Sequence, residues 1–406
     1  MNYQQLKEKY GTPLYIYNVD LMKEILKKYQ NNFKSNLFQT EIIYASKALN
    51  IKAMLRLLMR YNLSLDVVSL GELYTAKMVG FPMEKVYFHG NNKSIEELSY
   101  ALKENVGTIV VDNYSELILL KNLTEKLKRT VNIYIRLNVG VEAHTHKYIV
   151  TAHVDSKFGV LYQSSEYNQM LDLLKNTHSI HLQGFHCHIG SQIFDLTPYD
   201  AAIQKLVEII KTFDKKLDIN LGGGFGVSYT DADHPIPYDE ISKHLILKVE
   251  AELRKQNARL RKLCIEPGRS IVAEAGQTLY TIGGIKQTPN KLYYFIDGGM
   301  TDNIRPALYQ AIYHAEIIGK EKEFKKKIVT VAGKCCESGD IIIENTLLPE
   351  AEYGDLLLTY TTGAYGYSMS SNYNKALTPA VVFIENGKDT LVVKRQSLEE
   401  LLEREI

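Results

Sequence analysis

A handful of short stretches in the 406-residue chain bring together side chains capable of chemistry. The first is Tyr44-Ala45-Ser46-Lys47, where a lysine closes the apolar run Ile42-Ile43-Tyr44 and precedes a helical pattern. An amine so placed can condense with an aldehyde. If that aldehyde belongs to a pyridine-ring cofactor carrying a phosphate, the chain must also supply a carboxylate for the ring nitrogen and a cradle for the anion. A solvated lysine whose stem covers an apolar strand edge is the plainer alternative.

Both accessories are present as candidates. Leu221-Gly222-Gly223-Gly224-Phe225-Gly226 is a glycine run whose amides can approach a phosphate closely, or simply a tight turn before a helix. Glu266-Pro267-Gly268-Arg269 offers a carboxylate for a ring nitrogen and a guanidinium for an anion, or a strand-end salt bridge. His186-Cys187-His188-Ile189-Gly190-Ser191-Gln192 puts two histidines on one face of a strand by its period of two. They could bind a metal as a pair, hydrogen-bond within a core, or divide the work, with His188 on a cofactor ring and Ser191 on its phosphate. Pyridoxal phosphate is the commonest cofactor with an aldehyde, a ring nitrogen and a phosphate together.

These residues need a scaffold, and the pattern supplies one. Strand candidates fall at 41–46, 63–68, 85–88, 108–112, 131–137, 181–187, 217–221 and 262–266, with helical patterns such as Ile51, Met54, Leu55, Leu58 between them. This alternation over about 250 residues predicts a TIM-type (β/α)8 barrel, whose reactive groups belong at the C-terminal strand ends. Lys47, His89, Arg136, His188, the glycine run and Glu266 all fall there. From about Gly276 the pattern becomes strands without long helices, including the pair Ala380–Ile384 and Thr390–Lys394 around Asn386-Gly387, a hairpin turn signal. The expected organisation is residues 31–275 as the barrel and 276–406 as a β-rich barrel or sandwich domain. Residues 1–30 are expected to pack on that β domain, with the N-terminal strand joining it.

Composition narrows the function classes. Lys+Arg number 48 against 47 Asp+Glu, so nothing favours nucleic acid or an anionic membrane as a partner. The four cysteines, Cys187, Cys264, Cys335 and Cys336, lack a paired framework, and no run of ~18 apolar residues occurs. A cytoplasmic enzyme is the expectation.

Taken in order, the motifs resemble the diaminopimelate decarboxylase family, within the alanine-racemase-like, fold type III pyridoxal-phosphate enzymes. The matching stretches include Tyr10 to Pro13, Tyr44 to Lys47, Leu65 to Ser69, His89 to Ser94, Ala143-His144-Thr145-His146, Ser156 to Gly159, His186 to Gln192, Gly222 to Gly224 and Glu266 to Arg269. In the β-rich part they are Asp297 to Met300, Ile304 to Tyr309, Cys336 to Asp340, Gly363-Ala364-Tyr365 and Ser370 to Asn374.

The resemblance implies pyridoxal 5′-phosphate as cofactor and decarboxylation of meso-2,6-diaminopimelate to L-lysine and carbon dioxide, the last step of L-lysine biosynthesis. It makes Lys47 the Schiff-base lysine, His188 the imidazole stacked on the ring and Glu266 the ring-nitrogen partner. Asp66, Ser191, Gly222, Gly223, Gly224, Gly268, Arg269 and Tyr365 complete the cofactor shell. Arg269, Arg305, Tyr309, Glu337 and Tyr365 become substrate contacts and Cys336 the proton donor. The Cys336 and Glu337 segment is implied to enter the neighbouring subunit's site, giving a homodimer with active sites at the interface.

The substrate's own chemistry agrees. Its unreacted end carries both a carboxylate and an amine, so it calls for Arg269 and Arg305 on one side and Glu337 on the other. Decarboxylases of ornithine, lysine or carboxynorspermidine are the nearest alternatives. A racemase would place an arginine at the ring nitrogen and a tyrosine as second base. A metal-dependent barrel hydrolase would carry its His-x-His early and end its eighth strand in aspartate, and a non-catalytic relative would lose the lysine or the cysteine. The departures from the family are Val139 in place of a proline, Cys335 beside Cys336, and the absence of arginines after Asn374.

Overall fold

The computed structural model describes residues 1–141, 156–324 and 326–406. The stretch Ala143 to His146 therefore lies outside the described residues. Two compact units are formed: Met1–Glu24, Val227–His234 and Arg269–Ile406 make one, and Ile25–Gly226 with Pro235–Gly268 the other.

In the first unit, β1 (Leu14–Asn18) is flanked on both sides by strands from the far end of the sequence, as described below. The second unit is a closed barrel of eight parallel strands. Its members are β2 (Gln39–Ala45), β3 (Ser64–Val67), β4 (Val86–Phe88), β5 (Thr108–Val111) and β6 (Val131–Asn138), then β8 (Ile180–His186), β9 (Leu217–Asn220) and β10 (Leu260–Ile265). Closure comes from β10 pairing with β2. The short β7 (Val160–Leu161) hangs on β6 outside the ring. Short apolar runs between amphipathic helices produce such strands, because both faces of a parallel strand are covered.

The helices between them are capped by their own sequence. Ser69 accepts from the Glu72 amide at the start of Leu70–Met78, and Ser94 with Glu97 forms a reciprocal capping box on Ile95–Lys103. Gly80, at φ +73°, follows the end of the first of these.

Inside the ring, Ile43, Tyr87, Val110, Tyr134 and Cys264, from five strands, form one buried cluster. Toward the N-terminal strand ends a polar network closes the barrel. The Tyr134 hydroxyl donates to Asp218 at 2.6 Å, Tyr87 donates to Glu41 at 2.8 Å, and Lys262 pairs with Glu41.

In the first unit the strands β11 (Gly276–Gln287), β12 (Leu292–Ile296), β13 (Ala315–Ile317), β14 (Lys326–Ala332), β15 (Ile341–Pro349), β16 (Leu356–Thr359), β17 (Ala380–Glu385) and β18 (Lys388–Val393) join β1 in a nine-stranded sheet. β1 lies between β11, antiparallel, and β17, parallel, so the N-terminal strand belongs to the β-rich unit. Asn386 and Gly387, at φ +51° and +73°, make the β17–β18 turn with both central residues left-handed. Among the described residues no helix is long and apolar enough to cross a membrane.

Candidate active site

A strand's period of two carries the barrel's core layer upward into a polar one. Two residues beyond Tyr87, Val110, Tyr134 and Cys264 stand His89, Asp112, Arg136 and Glu266. Glu266, buried just past β10, is the centre of this layer. His89 Nε2 lies 2.9 Å from its Oε1, His186 Nε2 lies 3.1 Å from Oε2, and Asn220 Nδ2 donates to Oε1 at 2.7 Å.

Burial alone would favour the neutral acid, but the pull of His89 and the hydrogen bond from His186 outweigh it and hold Glu266 well below the usual carboxylate range. His89 goes the other way from its burial, raised by Asp66 and Glu266. Burial pulls His186 down to about 4, leaving a neutral imidazole that donates to Glu266. Asp66, in β3, is raised by burial to about 6, with His89 opposing.

Lys47 stands on the single helical turn Ser46–Ala48 that follows β2, with its side chain exposed. Its charge acts on Asp66, Glu72 and His188, which sets the amine above the same strand ends. Gly268 is required beneath it, since a Cβ there would sit 2.9 Å from Ala45 Cβ and 3.0 Å from Ala45 O.

His188 lies two residues past the end of β8 and does not join His186 at Glu266. Its Nδ1 accepts from the Gly223 amide at 3.4 Å, which puts the proton of the neutral ring on Nε2. Burial, then the charge of Lys47, depresses His188 well below the ordinary imidazole value. Two histidines binding a metal as a pair is therefore not the observed arrangement; His186 instead clusters with His89 and Glu266.

The glycine run is where three strand ends converge. A Cβ on Gly223 would lie 2.1 Å from Glu266 O, and one on Gly224, at φ +105°, would lie 2.3 Å from Gly190 O. Gly222 spends its amide on Asn220 Oδ1 at 3.0 Å, as Gly223 does on His188. The Gly224 amide donates to nothing among the described residues. Ile193 N donates to Gly224 O at 2.9 Å, which holds the loop bearing Ser191 beside it.

The β-rich unit carries a second constellation. Arg269 Nη1 donates to the Tyr229 hydroxyl at 2.5 Å, and Arg305 Nη1 donates to the same oxygen at 2.9 Å and to Tyr313 at 2.6 Å. Both guanidinium groups are buried, and the Tyr365 ring lies 4.9 Å from one and 5.9 Å from the other. Tyr365 has φ +64°, a conformation a tyrosine holds only where its surroundings impose it. Arg305 meets no carboxylate among the described residues. Tyr309 ends the helix Arg305–Tyr309 and is partly buried.

Cys336 and Glu337 do not join that cluster. They are exposed on the β14–β15 turn, which Asp340 pins by accepting from the Cys335 amide at 2.8 Å and the Met300 amide at 2.6 Å. The Cys336 amide donates to Asn374 Oδ1 at 2.8 Å. All four cysteines are free thiols.

Sequence reasoning singled out most of these positions but assigned no role to His89 or Asn374, and passed over Asn220, Tyr229 and Tyr313. His89 was findable, two residues beyond Tyr87. Tyr229 follows a glycine run in a turn held by Asp233 and carries no periodic signal.

The donor set fits a pyridoxal group. One carboxylate is held ionised, as a protonated ring nitrogen would require of its partner, one lysine amine is exposed, one imidazole is neutral, and an amide is open at Gly224 among the described residues. Residues 22–273 match the family model described as the pyridoxal binding domain of pyridoxal-dependent decarboxylases, which makes pyridoxal phosphate the cofactor.

The chain is 46% identical to diaminopimelate decarboxylase of Bacillus methanolicus, covering 97% of this chain and 93% of that one. It is also 46% identical to the enzyme of Bacillus subtilis, covering 99% and 93%. Crystal structures of the enzyme from M. jannaschii (TM-score 0.91, 33% identity, 99% and 94% covered) and from Helicobacter pylori with L-lysine (0.90, 33%, 99% and 98%) superpose over nearly the whole chain. With relatives of this identity and coverage, the chain belongs to the diaminopimelate decarboxylase family of pyridoxal-dependent decarboxylases.

Proposed function

We propose that this chain decarboxylates meso-2,6-diaminopimelate to L-lysine and carbon dioxide. The observation that carries the substrate is the pair Arg269 and Arg305, buried on one phenol oxygen, with Arg305 facing no carboxylate of its own among the described residues. Two such groups suit an incoming carboxylate at the unreacted end. The distal end of ornithine has an amine and no carboxylate, so it leaves them unused.

When bound, pyridoxal phosphate supplies an aldehyde for the substrate amine and a ring that accepts the electrons released with carbon dioxide. The residues of this chain do the rest. Lys47 is the amine that would hold the cofactor's aldehyde carbon and give it up to the substrate. Glu266, kept ionised by His89 and His186, would hold a proton at the ring nitrogen. His188, neutral and fixed by Gly223, would cover the ring face. The family resemblance assigns the phosphate to Ser191, Gly224, the Glu266 to Arg269 segment and Tyr365.

Cys336 would return a proton to the carbon that loses its carboxylate. Glu337 would pair with the distal ammonium. Exposure of both on the β14–β15 turn supports their delivery to a second copy's site, hence an active homodimer. Four free thiols support a reducing, cytoplasmic setting.

The test is carbon dioxide release by the holoenzyme from meso-diaminopimelate, ornithine and lysine. Release from the diacid alone is expected; preference for ornithine or lysine would refute the distal roles of Arg305 and Glu337.

A further inference from the structure

We infer that Tyr229 determines specificity for the diacid by holding Arg269 and Arg305 on its single hydroxyl oxygen and turning its own O–H toward the distal carboxylate. This rests on the assignment of the two arginines to that carboxylate.

A phenol oxygen offers lone pairs to donors and one hydrogen of its own. Here the lone pairs receive Arg269 Nη1 at 2.5 Å and Arg305 Nη1 at 2.9 Å. The hydrogen donates to no group among the described residues. The buried Arg305 charge rests on neutral phenol oxygens and requires a negative partner, and no carboxylate among the described residues serves it. An arriving carboxylate would meet the remaining edge of the Arg305 guanidinium and the phenol hydrogen beside it.

The rest of the surroundings fix this arrangement. Tyr313 takes a second bond from the same Arg305 Nη1 at 2.6 Å, so that nitrogen is committed and the other edge is free to turn to a ligand. The Tyr229 and Tyr313 rings meet edge-on at 5.4 Å and 88°. Tyr229 itself is anchored by its backbone, since its amide and that of Thr230 both donate to Asp233 Oδ2 at 3.0 and 2.9 Å. A hydroxyl so held spaces the two arginines; a phenylalanine would keep the packing and lose the spacing.

The experiment compares wild-type, Tyr229→Phe, Tyr313→Phe and Arg305→Ala holoenzymes. Tyr229→Phe should raise KM for meso-diaminopimelate about tenfold or more, the effect of losing a hydrogen bond to charged groups, with a much smaller change in kcat. Inhibition by L-lysine, whose carboxylate is the substrate's distal one, should weaken by the same factor. Inhibition by cadaverine, which has no carboxylate, should stay as in wild type. Tyr313→Phe carries the same expectation at the Arg305 end, and answers the question should Tyr229→Phe fail to fold.

If Arg305→Ala raises KM while both phenylalanine variants behave as wild type, the inference is overturned and the diacid reading stands. If Tyr229→Phe weakens lysine and cadaverine equally, the residue is only packing and the inference is again overturned. If Arg305→Ala itself leaves KM unchanged, the diacid assignment fails and takes Tyr229 with it.

Discussion

His89, just past β4, and Glu266, just past β10, belong to one barrel layer and meet with Nε2 2.9 Å from Oε1, both buried. Each sets the other's charge: Glu266 is held well below the usual carboxylate range and His89 above the usual imidazole value.

That pairing gives a stability window. A depressed Glu266 contributes above its unfolded value of about 4.3 and is lost as pH falls through its folded value. A raised His89 contributes fully below about 6.5 and is lost as pH rises through its folded value. His89→Gln should therefore destabilise the apoprotein by about 3 kcal/mol at pH ~5 to 6, with the deficit shrinking above neutrality. Thermal unfolding of the two proteins across pH checks it; a constant deficit would contradict the charged pair.

Replacing Glu266 by Gln removes the charge and keeps the shape. We expect kcat to fall about 10²-fold or more with KM nearly unchanged, since the lost interaction matters most as electrons enter the ring. Steady-state kinetics with saturating cofactor measures this.

Gly223→Ala should be far worse than its size suggests. Its Cβ would lie 2.1 Å from Glu266 O, whereas one on Gly283 meets nothing within 4 Å. We expect about 3 kcal/mol lost from overpacking at Gly223, together with weaker cofactor binding, and near-neutral behaviour at Gly283. Chemical denaturation and cofactor titration of both variants decide it.

Lys47→Ala and Cys336→Ala should each be inactive alone and recover on mixing. If the two groups of one site come from different subunits, random reassociation places one intact site in half of the dimers and restores about a quarter of the wild-type activity. No recovery, with exchange verified by mass, would put both groups in one subunit's site.

The barrel was legible because its strands are short apolar runs separated by amphipathic helices, and the hairpin at Asn386-Gly387 because its dihedrals admit few other residues. β11 was not, because Gly283 and Gly284 and the bulge between Ile282 and Gly284 break its alternation. In the site, the strand period correctly lifts Glu266 above Cys264, but it fails at His188, because β8 ends at His186 and the chain turns away. Tyr229 and Tyr313 were illegible for another reason. Their roles come from long-range contacts with Arg269 and Arg305, and no local spacing encodes those.

The central claim is that the amine at the end of β2 holds the cofactor, and borohydride reduction of the purified holoenzyme followed by peptide mass mapping tests it most directly. The account predicts a visible absorbance band that reduction abolishes and a pyridoxyl group on the peptide containing Lys47. A pyridoxyl group on any other lysine, or none on a protein that still releases carbon dioxide, would contradict it.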